Sequence, residues 1–266
     1  MHRRDFLSRS LAASASLAAA SAVAISGTLD AQTQSPRPRE FYQLRRYFLQ
    51  SGPQATMTEK YISEALIPAL AHKSGPIGAF RLEIGPETPT FYVLIPIDSP
   101  ATAGTLELEL SRDETYIKAA EPFWSAPASS PAFLRVDSSL LVAFEGWPRI
   151  TPPAKGKRIF QLRTYESASY RDHILKVQMF HSGEFEIFKN AGFEMVFFGD
   201  TLIGPRMPNL TYMLSFADAA ELDAKWNVFR NDPTWKKLSA DPRFAFEPIV
   251  NNITNLVLSP LSASQI

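Results

Sequence analysis

Residues Tyr42 to Tyr47 read YQLRRY, and residues Phe160 to Tyr165 read FQLRTY. The offset is 118, and Gln43, Leu44, Arg45 and Tyr47 recur as Gln161, Leu162, Arg163 and Tyr165. The residues after each stretch stay in step for about a hundred positions, the length of a small domain. Gly85 and Pro86 pair with Gly204 and Pro205 at 119, and Tyr92, Leu94 and Asp98 pair with Tyr212, Leu214 and Asp218 at 120. A period this long means two duplicated domains, whereas repeats of roughly 20 to 50 residues would mean a solenoid.

Each half opens on a strand rich in aromatic residues (Phe41 to Phe48, Arg158 to Tyr165) and continues with a helix. In the first half, Thr56 with Glu59 reads as a capping box, and Ile62, Leu66, Ala69 and Leu70 as the apolar stripe, with a kink at Pro68. In the second, Ser169 with Asp172 opens the helix and Gly192 stops it. Gly-Pro turns join the next two strands, Ser99 and Asp218 start further helices, and closing strands come at Ser139 to Phe144 and Ile249 to Leu258. Strand, helix, strand, strand, helix, strand is the ferredoxin-like order. The reading is therefore α+β: tandem βαββαβ domains over 41–145 and 158–262, joined by a Pro-rich linker at 146–157. Such a sheet carries its helices on one face, so two bare faces in one chain are expected to cover each other as an intramolecular pseudo-dimer closed into a barrel.

The 266 residues carry 27 basic and 27 acidic side chains, with 45% hydrophobic residues and no Cys. Balanced charge gives no footprint for nucleic acid. Without Cys there are no disulfides, thiolate metal sites or cysteine nucleophiles. Arg3 and Arg4 ahead of Phe6 and Leu7, then an Ala- and Ser-rich run from Leu11 to Ile25, read as a twin-arginine signal over 1–31, with a disordered lead-in over 32–40. The run is too short and too weakly apolar for a stable membrane span, so the expected location is the periplasm.

The paired YQLRRY and FQLRTY strands, the Gly-Pro hairpins, the Asp218-led helix with Arg230 to Trp235, and the closing NITNLVLSPL run resemble the NIPSNAP family within the dimeric alpha-beta barrel group. The second half fits better than the first, which has Asp113 to Tyr116 where the second has Asp232, Pro233 and Trp235. Eukaryotic members are associated with mitochondria, vesicle traffic and recruitment of autophagy components, and most bacterial members have no assigned activity. Neighbouring families on the fold include cofactor-free oxygenases, haem-handling enzymes and lactone isomerases, and fold alone does not choose among them.

Strand alternation selects the site residues. If Phe160 and Leu162 pack under the helices, then Gln161, Arg163 and Tyr165, with Gln43, Arg45 and Tyr47, point into the barrel. Such a set could bind a carboxylate or enol, or else knit the two sheets together. The binding reading predicts an enclosed cavity of a few hundred cubic ångströms bordered by Arg163 and Tyr165. His181 reads as a packed core histidine, His173 as a surface residue in a first helical turn, and His72 as a helix-end residue. A spacing of eight between His173 and His181 matches no helical metal pair, so no metal and no cofactor are expected. Trp226 and Trp235 read as core. Three functions stay open: a binder of a small apolar or anionic molecule inside the barrel, a non-enzymatic protein-interaction module, and a cofactor-free or haem-linked oxygenase-type enzyme needing a histidine in the barrel; a homo-oligomer is the expected protein partner.

Overall fold

The computed structural model describes residues 38–50 and 52–266, so the twin-arginine motif and most of the lead-in lie outside the described residues. The first half contains β1 (Phe41–Phe48), α1 (Pro53–Tyr61), α2 (Ile67–Leu70), β2 (Gly78–Ile84), β3 (Thr90–Ile97), α3 (Pro100–Leu110), α4 (Glu114–Trp124) and β4 (Arg135–Ala143). The second contains β5 (Ile159–Glu166), α5 (Tyr170–Met179), α6 (Phe185–Asn190), β6 (Glu194–Ile203), β7 (Asn209–Phe216), α7 (Ala219–Asn231), α8 (Pro233–Ser239), α9 (Phe246–Ile249) and β8 (Asn252–Pro260). The strands close into one antiparallel barrel ordered β1-β3-β2-β8-β5-β7-β6-β4. Each half thus contributes a ferredoxin-like sheet, and the seams are β2 against β8 and β4 against β6. Closure removes every free sheet edge.

Side-chain oxygens cap the helices where the sequence offers them: Ser99, Asp113, Ser169, Asp218 and Asp232 each accept a backbone N–H in the first turn. One expected cap fails. α1 starts at Pro53 behind Gly52, whose φ of 77° suits glycine, so Thr56 and Glu59 lie inside the helix and form no capping box. A π-helical turn comes after α1 at Ile62–Leu66 and another after α5 at Phe180–Glu184, at the same place in both repeats. Each redirects the chain before its next helical segment.

The strand registers correct the alignment of the two halves. Arg45 pairs with Val93 and Arg163 with Tyr212, so Val93 and Tyr212 are equivalent and the offset is 119, not 120. The same offset relates the caps Ser99 and Asp218, and Asp113 and Asp232. A slip of one residue reverses the faces of a strand. Tyr92 accordingly packs inside the barrel and Tyr212 beneath the helices.

Three apolar clusters result. One lies between the first sheet and its helices, a second between the second sheet and its helices, and a third fills the barrel. Among the described residues no helix is long and apolar enough to cross a membrane.

Candidate functional site

Inward-facing side chains divide the barrel into a plug and a pocket. At one end the aromatic rings interlock: Tyr42 meets Phe197 edge-on at 5.3 Å, and Phe80 meets Phe160 at 4.8 Å. At the other end the inward positions become smaller and more polar, and a cavity of about 330 Å³ opens to solvent. Leu44, Leu141, Leu162, Leu256 and Tyr92 line its apolar part. Its walls carry hydroxyls, with Thr164 bonded to Thr211 at 2.8 Å and Thr201 donating to Asn209 at 2.7 Å. Arg46, Arg135 and Arg206 stand around it with Glu87 and Asp137. Arg46 pairs with Asp137 at 2.6 Å, Arg135 with Glu87 at 2.7 Å and Arg206 with Glu166 at 3.2 Å.

Both Gly-Pro hairpins overhang this mouth. Glu87 and Arg206 occupy equivalent positions, each at a φ of 58°, and a cis X–Pro bond comes after each, at Thr88-Pro89 and Met207-Pro208. A left-handed backbone at a long charged residue is uncommon. Here it occurs twice, at the two tips that flank the cavity.

The six residues expected to point inward point outward. Tyr47 packs in the cluster under the first pair of helices and Tyr165 in the cluster under the second, while Tyr42, Leu44, Phe160 and Leu162 face the barrel. Gln43 and Arg45, and Gln161 and Arg163, share the helix side with those tyrosines. None of the six lines the cavity. A cavity of the expected volume is found, but it opens to solvent instead of being enclosed, and Arg46 and Thr164, from the alternate positions of the same strands, border it in place of Arg163 and Tyr165.

Beneath the helices the six form two different networks. In the first half, Gln43 accepts from Arg45 at 2.8 Å, and Arg45 meets Glu107 of α3 at 2.7 Å. Tyr61 and Tyr116 join their hydroxyls at 2.9 Å. In the second half, Trp226 stands where Glu107 would, and its indole N–H donates to Gln161 at 2.7 Å. Arg163 lies 4.4 Å from that ring and donates to the Tyr165 hydroxyl at 3.1 Å, which meets the Tyr212 hydroxyl at 2.8 Å. Deeper still, Lys176 and Glu184 form an ion pair of 2.5 Å with both side chains buried. Burial lowers the Lys176 pKa and raises that of Glu184.

Burial also raises the pKa of Tyr61, Tyr165 and Tyr212, and pushes Tyr116 up to about 12. A group raised on folding contributes stability that is complete below its unfolded pKa, about 10 for tyrosine, and lost as pH climbs through the folded value. The melting temperature is therefore expected to hold up to about pH 10 and to fall steeply as pH rises through 12. Calorimetry with tyrosinate absorbance checks this. A decline well below pH 9 would contradict it.

The second half also answers to a known family by sequence. Residues 160–265 match the NIPSNAP family model. The first half lies outside that match, in keeping with its weaker resemblance. Over 85% of this chain, the structure superposes on 94% of a candidate monooxygenase from Fusobacterium nucleatum at a TM-score of 0.60 and 8% identity. It likewise superposes on 97% of a candidate monooxygenase from Lactobacillus acidophilus at 0.57 and 10%, again over 85% of this chain. At such identities these likenesses show the fold. An uncharacterised NIPSNAP-like domain protein from Burkholderia xenovorans aligns over 40% of this chain and 88% of its own, with 17% identity and a TM-score of 0.36. No curated protein matches the sequence.

Two histidines of the NIPSNAP-matched half behave differently from expectation. His173 is buried, and its Nε2 lies 2.7 Å from Asp200 on β6. His181 is exposed instead of packed in the core: Gly146 N–H donates to its Nε2 at 3.0 Å, and its Nδ1–H reaches the Val177 carbonyl at 2.9 Å. These bonds hold the inter-repeat linker to α5. Among the described residues no cluster of His, Cys, Asp and Glu has the makings of a metal site.

Proposed function

We propose that the barrel mouth binds a small molecule with an apolar body and an anionic group. The carrying observation is a leucine-lined cavity of about 330 Å³ bordered by three guanidiniums, a size within the range of small-molecule sites. The apolar body would lie against Leu44, Leu162 and Leu256, and the anion would take a fork of N–H donors from Arg46, Arg135 or Arg206 in exchange for an existing carboxylate. Among the described residues no histidine lines this cavity, which favours binding over histidine-based oxygen chemistry at this place. Arg3 and Arg4 with the run from Leu11 support export by the twin-arginine route and work in the periplasm.

Octanoate, with octanol as a neutral control, probes the site by calorimetric titration. Octanoate is expected to bind once per chain and more tightly than octanol. Thr254→Phe, which places a ring in the cavity, and Arg46→Leu are each expected to weaken it by at least about tenfold. Equal binding of octanoate by the Thr254→Phe variant, or no binding by the parent chain, overturns the reading.

A further inference from the structure

We infer that two copies of this chain meet mouth to mouth, each closing the other's cavity. The apolar and charged pattern of the rim carries this inference, which rests on the proposed ligand site only for the consequence of closure.

Ile84 and Ile203 sit at equivalent positions ahead of the two Gly-Pro turns and are 66% and 65% exposed. Val136 and Ile253 are equivalent through their pairing with Tyr47 and Tyr165, and both are 38% exposed. Two halves that differ at most positions thus present the same exposed apolar pair at the same end of the barrel. Leu134 and Met207 add to it. Scattered exposed side chains need no explanation, but the same apolar pair repeated on the outer wall at the mouth end of both halves marks a contact surface.

Charge selects the occupant. The hairpin tips carry Glu87 in one half and Arg206 in the other, at the same backbone position, with side chains 57% and 44% exposed. An isologous dimer requires that if one residue meets another, the second meets the first. When the first hairpin of one copy sits over the second hairpin of its partner, Glu87 faces Arg206 twice, each in exchange for or shared with its in-chain partner Arg135 or Glu166, and the exposed isoleucines flank these contacts. Setting like hairpins together would oppose Glu87 to Glu87. An anionic lipid surface would meet the carboxylates of Glu83 and Glu87 along with the arginines. A second copy therefore fits this rim better than a membrane does.

Sedimentation velocity and light scattering on the full mature chain at micromolar concentrations test this. The parent chain is expected to run as a dimer. Ile84→Glu with Ile203→Glu is expected to give a monomer of unchanged circular dichroism, because both side chains are already exposed. Glu87→Arg alone is expected to weaken the dimer at least about tenfold, and Glu87→Arg with Arg206→Glu to restore it. A monomeric parent chain overturns the inference, as does a dimer untouched by the isoleucine substitutions or a parent chain that sediments with anionic vesicles as a monomer. Octanoate titration of the monomeric variant reports on the mouth separately, so failure of the dimer and failure of the ligand site are distinguishable.

Discussion

Lys176→Met alone is expected to destabilise the protein by about 3–5 kcal/mol, and Glu184→Gln by a similar amount, whereas Lys176→Met with Glu184→Leu should cost little or even stabilise. Both side chains are buried with their charges 2.5 Å apart. Removing one partner strands the other charge in a medium that solvates it poorly, and that desolvation accounts for most of the loss. Removing both exchanges two desolvated ions for packing against Phe180 and Met179, which already contact the Lys176 amine. The first half shows that the fold allows this. The positions equivalent to Lys176 and Glu184 are Thr58 and Leu66, both fully buried and without an ion pair. Chemical denaturation of the three variants measures the differences. A double variant as unstable as the singles would mean that the pair is net stabilising, and that Thr58 and Leu66 are no guide to its replacement.

Why the pair occurs in one half only is a question about specificity. Gly183 lies between the helical segments at a φ of 146°, a conformation that favours glycine, and Glu184 comes next, at the end of the π-helical turn. Ala65 occupies the equivalent place in the first half, whose π-helical turn has no such residue. The second half therefore combines a break in helical geometry, a buried ion pair and the Arg163–Tyr165–Tyr212 chain beneath one pair of helices. This is also the half that matches the NIPSNAP model.

The architecture was legible because duplication is a property of order along the chain, and order survives substitution. The strand, helix and turn signals at Tyr42, Ser99, Asp218 and the two Gly-Pro pairs needed no knowledge of which face was inside. The face itself was not legible. Every residue of β3 and of β7 is buried, since one side meets helices and the other meets the opposite sheet. Alternation distinguishes buried from wet and says nothing about two buried sides. Polar Gln and Arg on β1 and β5 looked like pocket residues, but they meet Glu107, Trp226 and Asn255 from elements remote in sequence. The one-residue offset of β3 against β7 has a physical cause. Identities at Tyr92, Leu94 and Asp98 point to 120, while Pro86 with Pro205, Pro89 with Pro208, and the caps Ser99 with Asp218 and Asp113 with Asp232, which carry backbone constraints, keep 119. Nothing local in the sequence marks His173 as buried, because its partner Asp200 lies on β6.

Trp226→Ala is expected to cost about 3–5 kcal/mol, and Trp226→Phe roughly half of that. Trp226 is buried and packs edge-on against Phe193 at 4.9 Å and Phe229 at 5.3 Å, so its removal opens a large hole in a cluster of rings. Its N–H holds Gln161, and its face lies under the Arg163 guanidinium, so truncation also leaves a buried amide oxygen and a cation with fewer partners. Phe keeps most of the packing and a weaker cation face, but loses the donor. Trp226→Glu separates the contributions by importing the first half's Arg45–Glu107 arrangement, in which a carboxylate meets the arginine at 2.7 Å. If the charge contact governs, Trp226→Glu should be less harmful than Trp226→Ala. If ring packing governs, both should be about equally unstable, with Trp226→Phe much the best of the three. The geometry favours packing, because Glu107 reaches Arg45 from a side chain that is 54% exposed, whereas position 226 is 7% exposed and enclosed by aromatic rings, where a carboxylate is costly to desolvate. Urea denaturation of the three variants decides it, and a Trp226→Glu variant as stable as Trp226→Phe would reverse the assignment.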